Sequence, residues 1–125
     1  MNNETYRKGL EIMREHFGDS IEERIGKIAD ISPEFARLNV EFPFGCLYAR
    51  DVLDQKTREL CTLAALTVKG SCLPQLASHV EGALNCGASR EEIIEVVLQM
   101  LAYCGFPDAT NALLTVNEVF ERIDT

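Results

Sequence analysis

The sequence has no apolar run long enough to span a bilayer, and no basic leader followed by an apolar stretch. A transmembrane helix needs about 20 consecutive apolar residues, and a secretory signal needs a charged start ahead of an apolar core. Basic residues are also scarce, since 12 lysines and arginines stand against 20 acidic residues and the net charge is −8. This charge repels nucleic acid and anionic lipid. We therefore expect a cytoplasmic protein that binds neither nucleic acid nor membranes.

The cysteines lack the spacing of a disulfide framework or a zinc site. They are odd in number and include no CxxC or CxxxC pair (Cys46, Cys61, Cys72, Cys86 and Cys104). Disulfide-rich domains and thiolate zinc sites use closer or more regular spacing. We expect thiols, most of them buried, in a reducing compartment, and no metal.

Sustained alternation of apolar and polar residues, the pattern of a half-buried strand, is also missing. Apolar residues instead recur at helical spacing almost from end to end. The pattern predicts an all-α fold of six to seven helices, and a length of 125 residues suits one domain, 1–125. Capping residues and prolines predict helix starts near Ser32, Asp54, Pro74 and Ser89. Glycines and prolines predict helix ends near Gly18, Pro43, Gly45, Gly70, Gly87, Gly105 and Pro107.

Two of the predicted helices are apolar on nearly every side. They contain residues 60–66 and residues 93–103. A chain of this size leaves much of its surface in water and cannot easily cover two such helices alone. The pattern therefore predicts self-association.

The residues best suited to catalysis lie around the connection between the helix predicted to start near Asp54 and the helix predicted to start near Pro74. Cys72 comes just before a helix start, where unpaired N–H groups and the helix dipole stabilise a thiolate. His79 follows two turns later on roughly the same face, and an imidazole can exchange protons near neutral pH. Glu59 lies in an otherwise apolar stretch, where a carboxylate must find a partner. The same residues could instead be a packed thiol, a structural histidine and an ion pair of Glu59 with Arg58 or Lys56.

Four fragments of the sequence are familiar in their order and spacing. They are Tyr48-x-Arg50-x-x-Leu53-Asp54-x-x-Thr57-Arg58-Glu59-Leu60, Pro74-Gln75-Leu76-x-x-His79-Val80-x-Gly82-Ala83-Leu84-Asn85-x-Gly87, Glu91-Glu92-Ile93-x-Glu95-Val96 and Tyr103-x-Gly105-Phe106-Pro107. Together they resemble the carboxymuconolactone decarboxylase family, over about residues 33–121. The resemblance implies small helical subunits of the alkyl hydroperoxidase D-like fold, assembled as homo-oligomers, either trimers or hexamers.

Alkyl hydroperoxidase D-like proteins carry a glutamate, a CxxC and a histidine four residues after the second cysteine. Here Cys72 matches the first cysteine and His79 the histidine, but Gln75 occupies the position of the second cysteine. A thiol peroxidase or disulfide reductase needs a resolving thiol, which Gln75 cannot supply. An external thiol could replace it, as could Cys61, Cys86 or Cys104 if the fold brings one near.

The resemblance therefore favours a lyase that decarboxylates a small carboxylated lactone. Loss of CO₂ leaves electron density delocalised into the unsaturated lactone, so neither a metal nor an organic cofactor is required. His79 is the expected proton donor, oriented by Glu59. The residues expected to bind the substrate are Arg50, Arg58 and Tyr103, because arginine suits a bidentate grip on a carboxylate and Tyr103 would line the pocket.

Two alternatives stay open. One is a thiol-dependent peroxidase or disulfide reductase, with peroxiredoxin-type activity, centred on Cys72. The other is a non-enzymatic oligomeric binding protein of the same fold, since fold and function separate readily.

Overall fold

The computed structural model describes residues 3–125, which form helices joined by short turns. The helices are α1 (Asn3–Phe17), α2 (Ile21–Ile31), α3 (Pro33–Val40), a π-helical segment (Glu41–Tyr48), α4 (Gln55–Lys69), α5 (Leu73–Asn85) and α6 (Arg90–Asp124). No strand occurs in this part of the chain, so the all-α prediction is confirmed. Within the same residues, no helix combines the length and apolar character that a bilayer crossing requires.

The chain divides into two compact units, a first unit up to Asp54 and a second unit of Gln55–Thr125. All of α1, α2, α3 and the π-helical segment belong to the first unit, and α4, α5 and α6 belong to the second. The assignment of residues 1–125 to a single domain stays a prediction.

Most helix boundaries lie where the sequence predicts them. Glycines with positive φ follow the ends of α1, α4 and α5, at Gly18, Gly70 and Gly87. Ser89 and Glu92 form a capping box before α6, in which each side chain accepts a hydrogen bond from the other residue's backbone N–H at 3.0 and 2.9 Å. These local signals depend on a few neighbouring residues, and so they can be read without knowledge of the tertiary structure.

The predicted end of the third helix at Pro43 and Gly45 is wrong. α3 ends at Val40, but the backbone continues through both residues as the π-helical segment. The proline ring clashes with the carbonyl of residue i−4 in an α-helix, and the wider π-helical turn relieves that clash. Gly45 serves packing rather than termination, because a Cβ there would overlap the backbone carbonyl of Thr5 in α1.

The first unit is built around α1 and the π-helical segment. Gly9 lets α1 approach the junction of α3 and the π-helical segment, because a Cβ on Gly9 would overlap the carbonyl oxygen of Val40 and lie 3.0 Å from the backbone nitrogen of Gly45. His16 is fully buried and lies edge-on to the rings of Phe44 and Tyr48. The sequence analysis does not single out this histidine, although His16 lies four residues after Ile12 and therefore on the buried side of α1.

The second unit is a helical bundle in which α4 packs against both α5 and α6. Its core is mainly aliphatic, with Leu63, Leu76, Val80, Ile93, Val97 and Val116 among the buried residues. α6 is interrupted at Gly105, whose φ of 80° and ψ of 174° divide it into two helices, as the Gly105-x-Pro107 signal predicts. The two halves fold back on each other, because Arg90 at one end pairs with Asp124 at the other at 2.6 Å.

An ion pair also joins the starts of α4 and α6. The ammonium of Lys56 lies 2.9 Å from a carboxylate oxygen of Glu92. The hydrogen bond from Lys56, together with the one from the Ser89 backbone, holds the pKa of Glu92 below its usual range. The carboxylate that caps α6 therefore stays ionised and also links that helix to α4.

The close approach of α1 to the π-helical segment predicts opposite effects at two helical glycines. Gly9→Ala should lower the free energy of unfolding by about 1–3 kcal/mol, because the added methyl group has no room beside Val40. Gly26→Ala is the matched control in α2, where a Cβ meets nothing within 4 Å, and it should raise stability by roughly 0.5–1 kcal/mol. Urea denaturation followed by circular dichroism measures both. A Gly9→Ala variant as stable as the wild type would contradict this packing.

Candidate active site

A hydrogen bond between α4 and α5 brings two of the candidate catalytic residues together. Nδ1 of His79 lies 2.7 Å from Oε1 of Glu59, although 20 residues separate them in the chain. Glu59 has no exposed surface, whereas 17% of the His79 side chain is exposed. The pair therefore connects a fully buried carboxylate to an imidazole that reaches the surface of the second unit.

The geometry assigns a role to each ring nitrogen of His79. An ionised carboxylate only accepts hydrogen bonds, so we expect the Nδ1–H of His79 to donate to Glu59. Nε2 is then the ring nitrogen through which His79 can exchange a proton with a bound molecule.

A short turn sets the register of α4 against α5. α4 ends at Lys69 and α5 begins at Leu73, so only three residues reverse the chain. Gly70 has a φ of 73°, and a Cβ there would lie 2.5 Å from the carboxylate of Asp108 in α6. Asp108 therefore packs directly on the turn. The sequence reasoning did not anticipate this contact, and the one available signal was an acidic residue just after Gly105-Phe106-Pro107.

Cys72 lies at the N-cap position of α5, as the sequence predicts. Its sulfur is 3.8 Å from the Ser71 hydroxyl and makes no side-chain cap to the helix. His79 is seven residues further along, which places its Cα about 10 Å from that of Cys72. His79 hydrogen-bonds to Glu59 through Nδ1.

All five cysteines are free thiols. Four are partly buried and Cys61 is exposed, so the expectation that most of them are buried is wrong. Cys86 lies at the opposite end of α5 from Cys72, about 20 Å away along the helix. The Cα atoms of a disulfide lie within about 7 Å of each other, so Cys86 cannot resolve an oxidised Cys72 in the same folded chain.

The other predicted residues are more dispersed. Arg58 precedes Glu59 on α4 and is partly buried, while Arg50 is exposed and belongs to the first unit. Tyr103 is 74% exposed near the end of the first half of α6. Gln75 is exposed in the first turn of α5, one turn before His79 on the same helix face. Among the described residues, no three His, Cys, Asp or Glu side chains form a cluster able to hold a metal ion.

Comparison with known proteins now identifies the family. The model of the carboxymuconolactone decarboxylase family matches residues 33–118, and the chain belongs to that family. The 4-carboxymuconolactone decarboxylase of Acinetobacter baylyi is 29% identical over 125 residues, covering 98% of this chain and 92% of that protein. The nitrosuccinic acid decarboxylase of Metarhizium robertsii is 28% identical over 130 residues, with 97% and 90% covered. An uncharacterized 15.0 kDa protein of Paracoccus denitrificans is 40% identical over 86 residues, with 68% and 64% covered.

The position of Cys72 predicts an activated thiol. Iodoacetamide at pH 7 should label Cys72 several-fold faster than Cys61, although Cys61 is more exposed, because the start of α5 stabilises the thiolate. Mass spectrometry of peptides after short labelling times gives both rates. In urea the two thiols should react at similar rates, which controls for local sequence effects. Preferential labelling of Cys61 in the folded protein would contradict the activated-thiol hypothesis.

Proposed function

We propose that this protein decarboxylates a small carboxylated lactone without a cofactor, with His79 as the proton donor. Membership of the family and two relatives named as decarboxylases support a decarboxylase-like activity. The observation that supports His79 as the proton donor is its hydrogen bond with Glu59. It joins a buried carboxylate to a partly exposed imidazole, which is an arrangement suited to delivering a proton.

The proposed reaction has one bond-breaking and one bond-forming step. The bond between the substrate carbon and its carboxylate breaks, CO₂ leaves, and the electron pair enters the conjugated lactone as a dienolate. Nε2–H of His79 then donates a proton to carbon, while Glu59 stabilises the imidazolium until the transfer occurs. A proton from solvent restores His79. Overall, one carboxylate is replaced by hydrogen and one proton is consumed.

The names of the relatives support a wider substrate class. Carboxymuconolactone and nitrosuccinic acid both carry more than one acidic or electron-withdrawing group, and in each an electron acceptor can stabilise the carbanion left by CO₂. We propose that the substrate of this chain shares that property. A second carboxylate would serve for binding, and Arg58 is our candidate to hold it because it is next to Glu59 on α4. The roles of Arg50 and Tyr103 in binding stay predictions from the sequence.

A thiol-dependent peroxidase centred on Cys72 is supported less well. Such an enzyme uses a nearby base to activate the thiol and a second thiol to resolve the oxidised sulfur. His79 is bonded to Glu59, and Gln75 stands where the second cysteine of the related signature would be. We also propose that the protein acts as a homo-oligomer, either a trimer or a hexamer, in the cytoplasm.

Paired substitutions at His79 and Cys72 separate the two chemistries. His79→Ala should lower the turnover of 4-carboxymuconolactone by about 10²–10⁴-fold, the usual contribution of general acid–base catalysis. Cys72→Ser should cost far less, because a hydroxyl keeps the shape of the thiol and loses only its redox chemistry. CO₂ release in the absence of added thiol is the measurement. If the wild type instead reduces hydroperoxides with a dithiol and Cys72→Ser abolishes that activity, the decarboxylase proposal is wrong.

Two further variants test the neighbours of His79. Glu59→Gln keeps the size of the side chain but removes its charge, and should lower kcat more than it changes KM, since the imidazolium loses its partner. Circular dichroism and thermal unfolding show whether this buried variant stays folded, and a folded variant with unchanged kcat would remove Glu59 from the mechanism.

Gln75→Cys restores the CxxC spacing with Cys72 and should create or raise dithiol-dependent peroxidase activity.

A further inference from the structure

The proposed decarboxylation leaves a negative charge to which none of the residues above is assigned. When CO₂ departs, the electron pair moves through the lactone and resides mainly on its carbonyl oxygen, as the dienolate. Hydrogen-bond donors aimed at such an oxygen are among the largest contributions that a protein makes to catalysis. Nε2 of His79 protonates carbon, and Arg58 is the candidate for a second carboxylate. The dienolate oxygen therefore needs a further donor.

Gln75 lies on the same side of α5 as His79. It is exposed in the first turn of the helix, four residues before the histidine. Side chains four residues apart in a helix have Cβ atoms about 5–6 Å apart. The Cα–Cβ bonds of a helix tilt toward its N-terminus, so that of His79 points toward the turn that carries Gln75. A small molecule bound at the imidazole is therefore within reach of the Gln75 carboxamide.

The carboxamide of Gln75 is available to a ligand. In the part of the chain that the structure describes, Gln75 makes no hydrogen bond to another residue. Its neighbours on α5 are engaged, since the Ser78 hydroxyl donates to a backbone carbonyl at 3.4 Å and His79 is bonded to Glu59. Cys72, three residues earlier, offers only a thiol, which is a weak donor. Gln75 thus provides an uncommitted amide donor on this side of α5.

A neutral donor suits this step better than a cation does. The substrate starts with its charge on the carboxylate that leaves and ends the step with that charge on the carbonyl oxygen. A cation beside both groups would bind the starting carboxylate and the dienolate about equally, whereas only interactions that are stronger in the transition state raise kcat. A hydrogen bond from an amide becomes roughly twice as strong when its acceptor is charged. Gln75 can therefore favour the departure of CO₂ without stabilising the starting carboxylate.

We propose that, in the decarboxylation described above, on which this inference rests, Gln75 is a further catalytic residue whose amide N–H donates to the lactone carbonyl oxygen. As the bond to the carboxylate breaks, its electron pair moves to this oxygen and the hydrogen bond from Gln75 strengthens. When Nε2 of His79 gives its proton to carbon, the pair returns from oxygen to the ring. Gln75 neither gains nor loses a proton. The position that holds a resolving cysteine in the related redox signature thus holds a donor suited to decarboxylation here.

Turnover of 4-carboxymuconolactone by two glutamine variants tests this role. Gln75→Met keeps the length of the side chain and removes its donor, and should lower kcat about 10–100-fold, the usual effect of one hydrogen bond to a charged group. KM should change far less, because the uncharged carbonyl of the substrate is the weaker acceptor. Gln99→Met is the matched control at an exposed residue of α6 and should keep the wild-type kcat. Both positions are exposed, so both variants should keep the wild-type circular dichroism spectrum.

Binding of a stable enolate measures the role of Gln75 without turnover. Tetronic acid is a small lactone that is ionised at neutral pH, and its anion places charge on oxygen as the proposed dienolate does. γ-Crotonolactone has the same ring and no charge. In NMR titrations, Gln75→Met should weaken the binding of tetronate about 10-fold or more and leave the binding of γ-crotonolactone nearly unchanged.

A catalytic role of Gln75 is contradicted by either of two results. If the wild type releases CO₂ and Gln75→Met retains both its kcat and its affinity for tetronate, Gln75 is not catalytic, and decarboxylation through His79 stands. If Gln75→Met weakens γ-crotonolactone binding as much as tetronate binding, the side chain only shapes the pocket and the proposal is wrong. A wild type that releases no CO₂ from 4-carboxymuconolactone overturns the proposed function itself, and with it the role of Gln75.

Discussion

The packing of α4 on α5 in the second unit depends on the hydrogen bond that a buried carboxylate makes between these two helices. Glu59 is completely enclosed, and removing an ionised group from water costs several kcal/mol unless a partner offsets it. His79 supplies that partner from the neighbouring helix at 2.7 Å. Because the pair joins α4 to α5, its geometry is coupled to the packing of the bundle. The interaction that makes the imidazole chemically useful also constrains the register of the two helices.

That register is supported by contacts at both ends of the bundle. At the turn, the positive φ of Gly70 and the carboxylate of Asp108 against it fix where α4 stops and α5 starts. At the other end, Lys56 and Glu92 tie α4 to the start of α6. Between these contacts, a core of aliphatic side chains leaves little freedom for one helix to slide along another. A small shift would separate Glu59 from His79, so distant packing contributes to the geometry of the candidate site.

The sequence predicts the parts of this arrangement that depend on near neighbours. Ser89 with Glu92 and the glycine at position 70 are recognisable because capping and positive φ are local properties. The predicted helix end at Pro43 and Gly45 is wrong for a tertiary reason. α1 packs across that segment, and this packing outweighs the helix-breaking propensity of the two residues. The expectation that Glu59 orients His79 comes from the chemistry of the two residues and from the family resemblance. Their direct contact spans 20 residues and follows from the antiparallel packing of α4 and α5, which periodicity alone does not define.

Gln75 occupies the position of the second cysteine in the alkyl hydroperoxidase D-like signature, and this difference affects which chemistry the site can perform. Two-electron thiol chemistry needs a second sulfur beside the first, and in this chain Cys86 is held at the far end of α5. Proton transfer needs only an imidazole with a stable partner, and that requirement does not involve Cys72 or Gln75. A neutral carboxamide one turn from His79 can accept or donate a hydrogen bond to a polar substrate without adding charge that would repel a carboxylate. Gln75 therefore takes away the resolving thiol of the CxxC signature, whereas the hydrogen bond between Glu59 and His79, which the proposed decarboxylation uses, does not involve this position.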